Sequence, residues 1–284
     1  MSINFIPWWG KIATKIMLSR LPLGYEFWKK FGLFELGAME QPEYAYKVFK
    51  RLFDRAKPNP GFVSLELGPG DSLFSALVAK AFGGSASYLV DNGDYALKDI
   101  QLYKNMADYL VQEGLLAPDI QKLNSIEEVL ACCHAHYLTS GLSSLRTIPD
   151  QSVDFIWSHA VLEHVRPGDF LDIQTELRRI IHPNGICSHQ VDLKDHLSNA
   201  LNNLRFSERI WESDFMARSG FYTNRIRYSK MLHLFQKAGF DVEVIEVNRW
   251  KELPTPRARL SQEFTQFSDE ELCISDFSVL LKPA

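Results

Sequence analysis

The chain has 284 residues, 46% of them hydrophobic, and its formal net charge is −4 at pH 7. This length can bury a full core, and the acidic balance argues against a dedicated nucleic-acid binder. We find no signal-peptide pattern and no apolar run of about 18 residues that could span a bilayer. The four cysteines lack metal-ligand spacing, and the adjacent pair Cys132-Cys133 seldom forms a disulfide with itself, so we expect a reduced, cytoplasmic setting.

The first 60 residues are basic, with ten Lys/Arg against five Asp/Glu, and are expected to be helical. An amphipathic pattern with a basic face runs through Trp8, Trp9, Lys11, Ile12, Lys15, Ile16, Leu18 and Arg20. One interpretation is a helical layer that packs on the core. The other is a helix that docks on a partner or on the inner face of a membrane, because Trp beside Lys/Arg suits an interface. The Pro- and Gly-rich stretch at 57–61, Lys-Pro-Asn-Pro-Gly, indicates a domain boundary. We therefore predict a helical extension over 1–60 and a main domain over 61–284.

Residues 62–73 read Phe-Val-Ser-Leu-Glu-Leu-Gly-Pro-Gly-Asp-Ser-Leu. This pattern predicts a buried strand, a tight turn at Gly68–Gly70 and a helix from Asp71 to Phe82. Glycines let a backbone approach a ligand closely, and a helix start offers free N–H donors. The stretch therefore predicts a nucleotide-type cofactor site.

Strand and helix patterns alternate through the rest of the chain. The predicted strands are 87–91, 153–157, 185–191, 240–247 and 275–281, and the predicted helices are 42–53, 95–113, 167–181, a helix opened by a capping box at Ser125 and a helix from a Ser229 cap to 239. A tight turn is expected at 182–185. The alternation indicates an α/β fold, a mostly parallel sheet covered by helices on both faces.

Two cofactor classes fit the glycine turn. A dinucleotide fingerprint needs a third glycine, and Leu73 occupies that position. Asp91 follows Gly70 by about 20 residues and could hold a ribose hydroxyl in either class. A nicotinamide-dependent oxidoreductase therefore stays open as the weaker alternative.

Later landmarks extend the pattern. They are Tyr-Leu-Val-Asp at 88–91, Ser-Val-Asp-Phe-Ile at 152–156, Val-Leu-Glu-His-Val at 161–165 and Glu-Leu-Arg-Arg-Ile-Ile-His-Pro-Asn-Gly at 176–185. In this order, the series resembles the class I S-adenosylmethionine-dependent methyltransferases, in particular the Methyltransferase-11-like group. The resemblance implies a Rossmann-like sheet of seven strands with the last strand antiparallel, and S-adenosyl-L-methionine as cofactor.

The resemblance also assigns cofactor-binding residues by position. Glu66, Gly68 and Gly70 would line the methionine end, Asp91 the ribose, Ser140 and Gly141 the adenine, while Ser158 and His159 would face cofactor and substrate. The acidic residue usual near the adenine is absent at 140–142.

Methyl transfer to a hydroxyl needs orientation and a base, and histidine suits that base. We predict His189, near the carboxyl end of a strand, as the base, with Asp192 or His196 orienting it. A metal site made of these three residues is the alternative. The ligand spacing matches no strong zinc or magnesium signature, so no metal is predicted.

Residues 195–228 are predicted to form a substrate lid. The segments 195–207 and 219–225 look like a bacterial subgroup associated with sugar and cell-surface polysaccharide biosynthesis. The candidate substrate-binding residues are His164, Asn203, Arg205, Tyr222, Asn224 and Arg225. The alternative for this segment is ordinary ion pairing and core aromatics.

We therefore expect O-methylation of a small-molecule or glycan-linked acceptor. A catalytically inactive cofactor-binding scaffold or regulatory partner is the alternative from another class.

Overall fold

The computed structural model describes residues 9, 10, 12 and 38–284. Within them, one sheet of seven strands has the order β3-β2-β1-β4-β5-β7-β6. The strands are β1 Val63–Leu67, β2 Ala86–Val90, β3 Ala135–Leu138, β4 Val153–His159, β5 Ile181–Asp192, β6 Phe240–Arg249 and β7 Ile274–Pro283. The pairs among β1 to β5 are parallel, and β7 lies antiparallel between β5 and β6. This confirms the α/β, Rossmann-like prediction.

Ten α-helices accompany the sheet within the described residues. They are α1 Pro42–Ala56, α2 Phe74–Ala81, α3 Ile100–Gln112, α4 Ile126–Cys133, α5 Leu142–Leu145, α6 Pro167–Ile180, α7 Glu208–Trp211, α8 Asp214–Ala217, α9 Tyr228–Lys237 and α10 Asp269–Leu272. None of the helices in the described ranges is both long and apolar enough to cross a bilayer.

The side chains of β4 alternate between two cores. Phe155 and Trp157 point into one core, and Ile156 points into the other. Phe49 of α1 meets Trp157 edge-on, with ring centroids 5.5 Å apart, so α1 covers the first face. Phe235 of α9 belongs to the second core. The period of two in a strand thus produces a sheet buried on both faces.

Some predicted boundaries differ from the structure. Helix α2 begins at Phe74 rather than Asp71. Helix α9 begins at Tyr228, and Ser229 does not cap it, because its hydroxyl donates to the Glu271 carboxylate at 2.9 Å. The turn expected at 182–185 lies inside β5, where it appears as a shift of pairing register against β4.

Most of the amphipathic pattern in 8–20 lies outside the described residues. Ile12 is buried in a small cluster with Trp211 and Phe221 of the 195–228 segment, while Trp9 is 63% exposed. The peripheral membrane contact stays a prediction, as do the division at residue 60 and the cytoplasmic location.

Candidate functional site

The turn after β1 needs glycine for two reasons. Gly68 and Gly70 both have left-handed φ angles, +66° and +68°. A Cβ on Gly68 would also lie 2.6 Å from a methyl group of Val161, which follows β4. A Cβ on Gly70 would meet nothing within 4 Å. The turn therefore packs tightly on one side and leaves room beside Gly70.

Asp91 joins this turn to the end of β2. Its Oδ2 accepts the Gly70 N–H at 3.0 Å, and its Oδ1 accepts the Asn92 N–H at 2.7 Å. Burial raises the pKa of the Asp91 carboxyl, against these two bonds. Each oxygen retains a lone pair, so the carboxylate could accept two hydroxyls of a ribose beside the turn.

Glu66 is a buried carboxyl at the end of β1. The Ser75 hydroxyl of α2 donates to it. Burial is the largest influence on its pKa and, with the nearby Asp91, raises the value to about 8. At pH 7 the Glu66 carboxyl is therefore largely protonated. A cationic group beside it would favour its ionised form.

The loop after β3 completes this side. The Gly141 N–H donates to the Asp91 carbonyl at 2.8 Å, and the Ser140 N–H donates to the Ser144 hydroxyl at 2.9 Å. Gly70, Asp91 and Gly141, which the sequence assigned to one cofactor site, are therefore neighbours in the structure. We call the turn 68–70 with Glu66, Asp91 and 140–141 the glycine-turn edge.

Ser158 and His159 end β4 on opposite faces of the sheet. Ser158 is fully buried, with its hydroxyl 2.8 Å from Nδ1 of His189. His159 lies under α1, where Tyr44 Oη is 3.1 Å from its Nε2 and Arg51 approaches its Nδ1 at 3.5 Å. Burial and the Arg51 charge lower the pKa of His159 to about 4. Of the two, only His159 is partly exposed.

The structure places His189 inside the second core. Its side chain is 0% exposed, and its ring lies nearly parallel to Phe235, with centroids 6.4 Å apart. Burial lowers the pKa of the imidazole to about 3. A base must reach the proton it removes, so this position argues against the role that the sequence suggested for His189.

Asp192 and His196 have contact partners other than His189. Asp192 accepts the Lys194 N–H at 2.8 Å, and its carboxylate lies 3.4 Å from the Lys194 ammonium. Burial raises its pKa, and Lys194 opposes that shift. His196 turns instead towards His164, with ring centroids 4.9 Å apart.

A cluster unites Glu163, His164 and His196. One ligand-type atom of each lies within 4.8 Å of the others. Glu163 is 1% exposed, whereas both histidines are exposed. The Nδ1 of His164 lies 2.8 Å from the Tyr222 carbonyl oxygen. Since a carbonyl only accepts, the proton sits on Nδ1 and Nε2 keeps its lone pair. We call 163–164 with His196 the histidine edge.

Two buried polar side chains fix the turns of the histidine edge. Asn224 donates through its amide to the carbonyls of Leu162 and Val165, both at 2.8 Å. Asp195 accepts the N–H groups of Leu197, Ser198 and Asn202 at 3.0, 2.7 and 2.6 Å. Sequence reasoning missed Asp195 and Glu163 as site residues, although Asp195-His196 and Glu163-His164 were both visible as pairs.

The other candidates in 195–228 point mainly inward. Tyr222 donates to the Glu212 carboxylate at 2.6 Å, and burial raises its pKa. Arg225 donates to the Phe206 carbonyl at 2.7 Å, and its guanidinium lies over the Trp211 ring. These contacts hold both side chains within the segment, and its role as a substrate lid stays a prediction.

Asn203 and Arg205 each bond to a neighbouring polar side chain. The Asn203 amide donates to the Thr223 hydroxyl at 2.9 Å, while its Oδ1 accepts no hydrogen bond from the described residues. Arg205 is half-buried, and its Nε donates to Oδ1 of the Asn202 side chain at 2.9 Å. Their substrate roles stay predictions.

One family profile matches part of the chain. Residues 65–188, from inside β1 to inside β5, match the family profile Methyltransf_11, described as a methyltransferase domain. The match supports a methyltransferase enzyme with S-adenosyl-L-methionine as its cofactor. A search of curated proteins finds no significant match.

Many solved structures resemble the chain at low identity. A SAM-dependent methyltransferase from Methanosarcina mazei shows 16% identity and a TM-score of 0.49 over 79% of this chain and 93% of that one. The YcgJ protein from Bacillus subtilis shows 14% and 0.47 over 85% and 99%. The arsenic(III) S-adenosylmethionine methyltransferase of Chlamydomonas reinhardtii shows 15% and 0.45 over 94% and 72%. Such identities say nothing about the acceptor of this chain.

Proposed function

We propose that the protein transfers a methyl group from S-adenosyl-L-methionine to an oxygen of a small-molecule or glycan-linked acceptor. The observation that carries the proposal is the bond from the Gly70 N–H to the Asp91 carboxylate. It sets an acidic group beside a glycine turn at the carboxyl ends of β1 and β2, where open α/β sheets bind ligands.

The residues of the glycine-turn edge fit the cofactor by their chemistry. Asp91 offers acceptors to ribose hydroxyls, and Glu66 offers a buried carboxyl to the cationic methionine end. Gly141, whose N–H donates to the Asp91 carbonyl, would border the adenine together with Ser140. When bound, the cofactor supplies a methyl group that is already activated as a sulfonium. The protein then has to orient the acceptor and to receive its proton.

The acceptor would lie between the glycine-turn edge and the histidine edge. The two edges meet at Val161, which touches the glycine turn and directly precedes the 162–164 turn. His164 and His196 are exposed there and could face an acceptor hydroxyl. His159 would border the same space from the α1 side, so we keep it as a contact for cofactor or substrate.

The glycan-linked class of acceptor rests on the segment 195–228. Its resemblance to the polysaccharide-biosynthesis subgroup supports that class. Asn203 is 2% exposed, so its buried Oδ1 does not add to that support. Asn224 and Tyr222 would act indirectly, by holding the turn that carries His164.

The test uses the full chain with methyl-labelled S-adenosyl-L-methionine and a small-molecule and glycolipid extract. We expect label in a product whose mass and fragments show a new O-methyl group. A methyl group on nitrogen, carbon or sulfur would overturn the oxygen assignment. Cofactor binding without any labelled product would favour the inactive scaffold. A chain that binds a nicotinamide dinucleotide and ignores S-adenosyl-L-methionine would overturn the whole proposal.

A further inference from the structure

The carboxylate of Glu163 is buried and has no hydrogen bond of normal geometry from the described residues. The residue is 1% exposed, and neither carboxylate oxygen accepts a hydrogen bond of normal geometry from the described residues. A buried carboxylate is costly unless a cation or a proton compensates it. Lys194, the cation that acts on this carboxylate, already lies 3.4 Å from Asp192 and 3.6 Å from Asp276. Glu163 therefore has no side-chain cation of its own among the salt bridges of the described residues.

The neighbours of this carboxylate are metal-ligand types. A nitrogen of His164, a nitrogen of His196 and an oxygen of Glu163 lie within 4.8 Å of one another. Atoms bound to one zinc ion at about 2.0–2.1 Å are at most about 4 Å apart, so side-chain movements of about 1 Å would close the set. From this geometry we propose that Glu163, His164 and His196 bind one divalent transition-metal ion of the zinc type.

The surroundings of the three residues support ligation. The Nδ1–H of His164 donates to the Tyr222 carbonyl, which leaves Nε2 to face a metal. Metal-binding histidines usually make such a bond with their second nitrogen, because it fixes the ring and the tautomer. Asn224 and Asp195 hold the two turns from beneath, so the ligands start close to their final positions.

Ligand chemistry selects the class of metal. Imidazole with one carboxylate suits zinc, cobalt or iron, whereas magnesium and calcium prefer oxygen alone. Three protein ligands leave a fourth position for water or for a substrate oxygen, as in catalytic zinc sites. A metal there would hold an acceptor hydroxyl and lower its pKa. That role rests on the proposed function, whereas binding of the metal can be measured without turnover.

The site differs from the one that the sequence suggested. The metal alternative considered from the sequence joined His189 and Asp192 to His196. His189 lies in β5 with its side chain buried against Phe235, and it is not part of the cluster that contains His196. Glu163 and His164 come from the turn after β4, and only the fold brings them to His196.

The test is cobalt binding to the full chain after treatment with a chelator and desalting. We expect one Co²⁺ per chain, visible by absorption and displaced by Zn²⁺ but not by Mg²⁺. Cys132 is exposed, and binding there would reveal itself by thiolate charge-transfer absorption. We expect the affinity to fall more than about 100-fold in His164→Ala and His196→Ala, beyond the usual cost of changing an outer-shell partner. Glu163→Gln keeps the side-chain volume and should also weaken binding.

The matched control is His233→Ala, which removes an exposed histidine from α9. It should bind cobalt like the unchanged chain. Thermal unfolding of each variant verifies that it is folded. Absence of binding, or binding that the three substitutions leave unchanged, would overturn the metal site. S-adenosylhomocysteine titration runs in parallel: a chain that binds it and no metal overturns only this inference, whereas the opposite result overturns only the proposed function.

Discussion

The two edges of the site are built in different ways. The glycine-turn edge consists of turns that follow β1, β2 and β3, and their own backbones join them, as in the bond from Gly141 N–H to the Asp91 carbonyl. The histidine edge depends on side chains from distant parts of the chain, such as Asn224 beneath 162–165. The comparison teaches that a cofactor cradle can be local in sequence while the acceptor side is assembled by tertiary contacts.

If the histidine edge is assembled in this way, Asn224→Ala should have the largest effect. The substitution removes the bonds to Leu162 and Val165 and leaves two carbonyls buried. We expect a loss of about 3–4 kcal/mol of unfolding free energy, measured in urea. Asn203→Ala is the matched control, since it removes one bond to Thr223 and should cost about 1 kcal/mol. Equal losses of unfolding free energy in both variants would show that the Asn224 contacts do not stabilise the 162–165 turn more than an ordinary hydrogen bond does.

Glu66→Gln tests the glycine-turn edge through pH. The pKa of Glu66 is about 8 in the folded chain, against an ordinary value of 4.5 for a glutamate side chain. The folded state therefore binds the extra proton between these pH values, and Glu66 lowers stability as pH rises from about 4.5 to about 8. Glu66→Gln should remove this loss, so its stability relative to the unchanged chain should rise by about 3 kcal/mol between pH 4.5 and 7.

Urea unfolding at several pH values measures this difference. Glu127→Gln, an exposed position in the first turn of α4, is the control and should show no such trend. A constant difference between Glu66→Gln and the unchanged chain across that window would mean that Glu66 is ionised in the folded protein. That result would overturn the raised pKa of Glu66.

Asp91→Asn should act on ligand binding more than on folding. The amide keeps the size of the side chain but loses the charge and one of the two acceptor oxygens that serve Gly70 and Asn92. We expect S-adenosylhomocysteine to bind about 30–100-fold more weakly by calorimetry, equivalent to about 2–3 kcal/mol. Asp94→Asn, an exposed neighbour paired with Lys98, should bind normally. An unchanged dissociation constant in Asp91→Asn would remove the ribose assignment.

The same contrast explains what the sequence could predict. Strand periodicity, the glycine turn and the acid at Asp91 are local signals, and the fold and the arrangement of 66–70 beside Asp91 follow from them. The pairing register of a strand decides on which face of the sheet each side chain lies. The burial of His189 could therefore not be predicted from its place in the sequence alone. The pairing of His164 with His196 also required the fold, because 32 residues separate them in the printed sequence.

The smallest expected effect concerns His189 and Ser158 inside the second core. Among the side-chain hydrogen bonds that the structure describes, these two residues bond only to each other. Removing both partners of a buried bond and filling the space is close to neutral. The double variant Ser158→Ala with His189→Leu should therefore stay within about 1 kcal/mol in stability, and its methyl transfer should stay within a few-fold. His196→Ala, measured beside it, should lose most of the transfer. If the double variant binds S-adenosylhomocysteine and loses turnover as His196→Ala does, a rearranged His189 takes part in catalysis, and the histidine edge does not act alone.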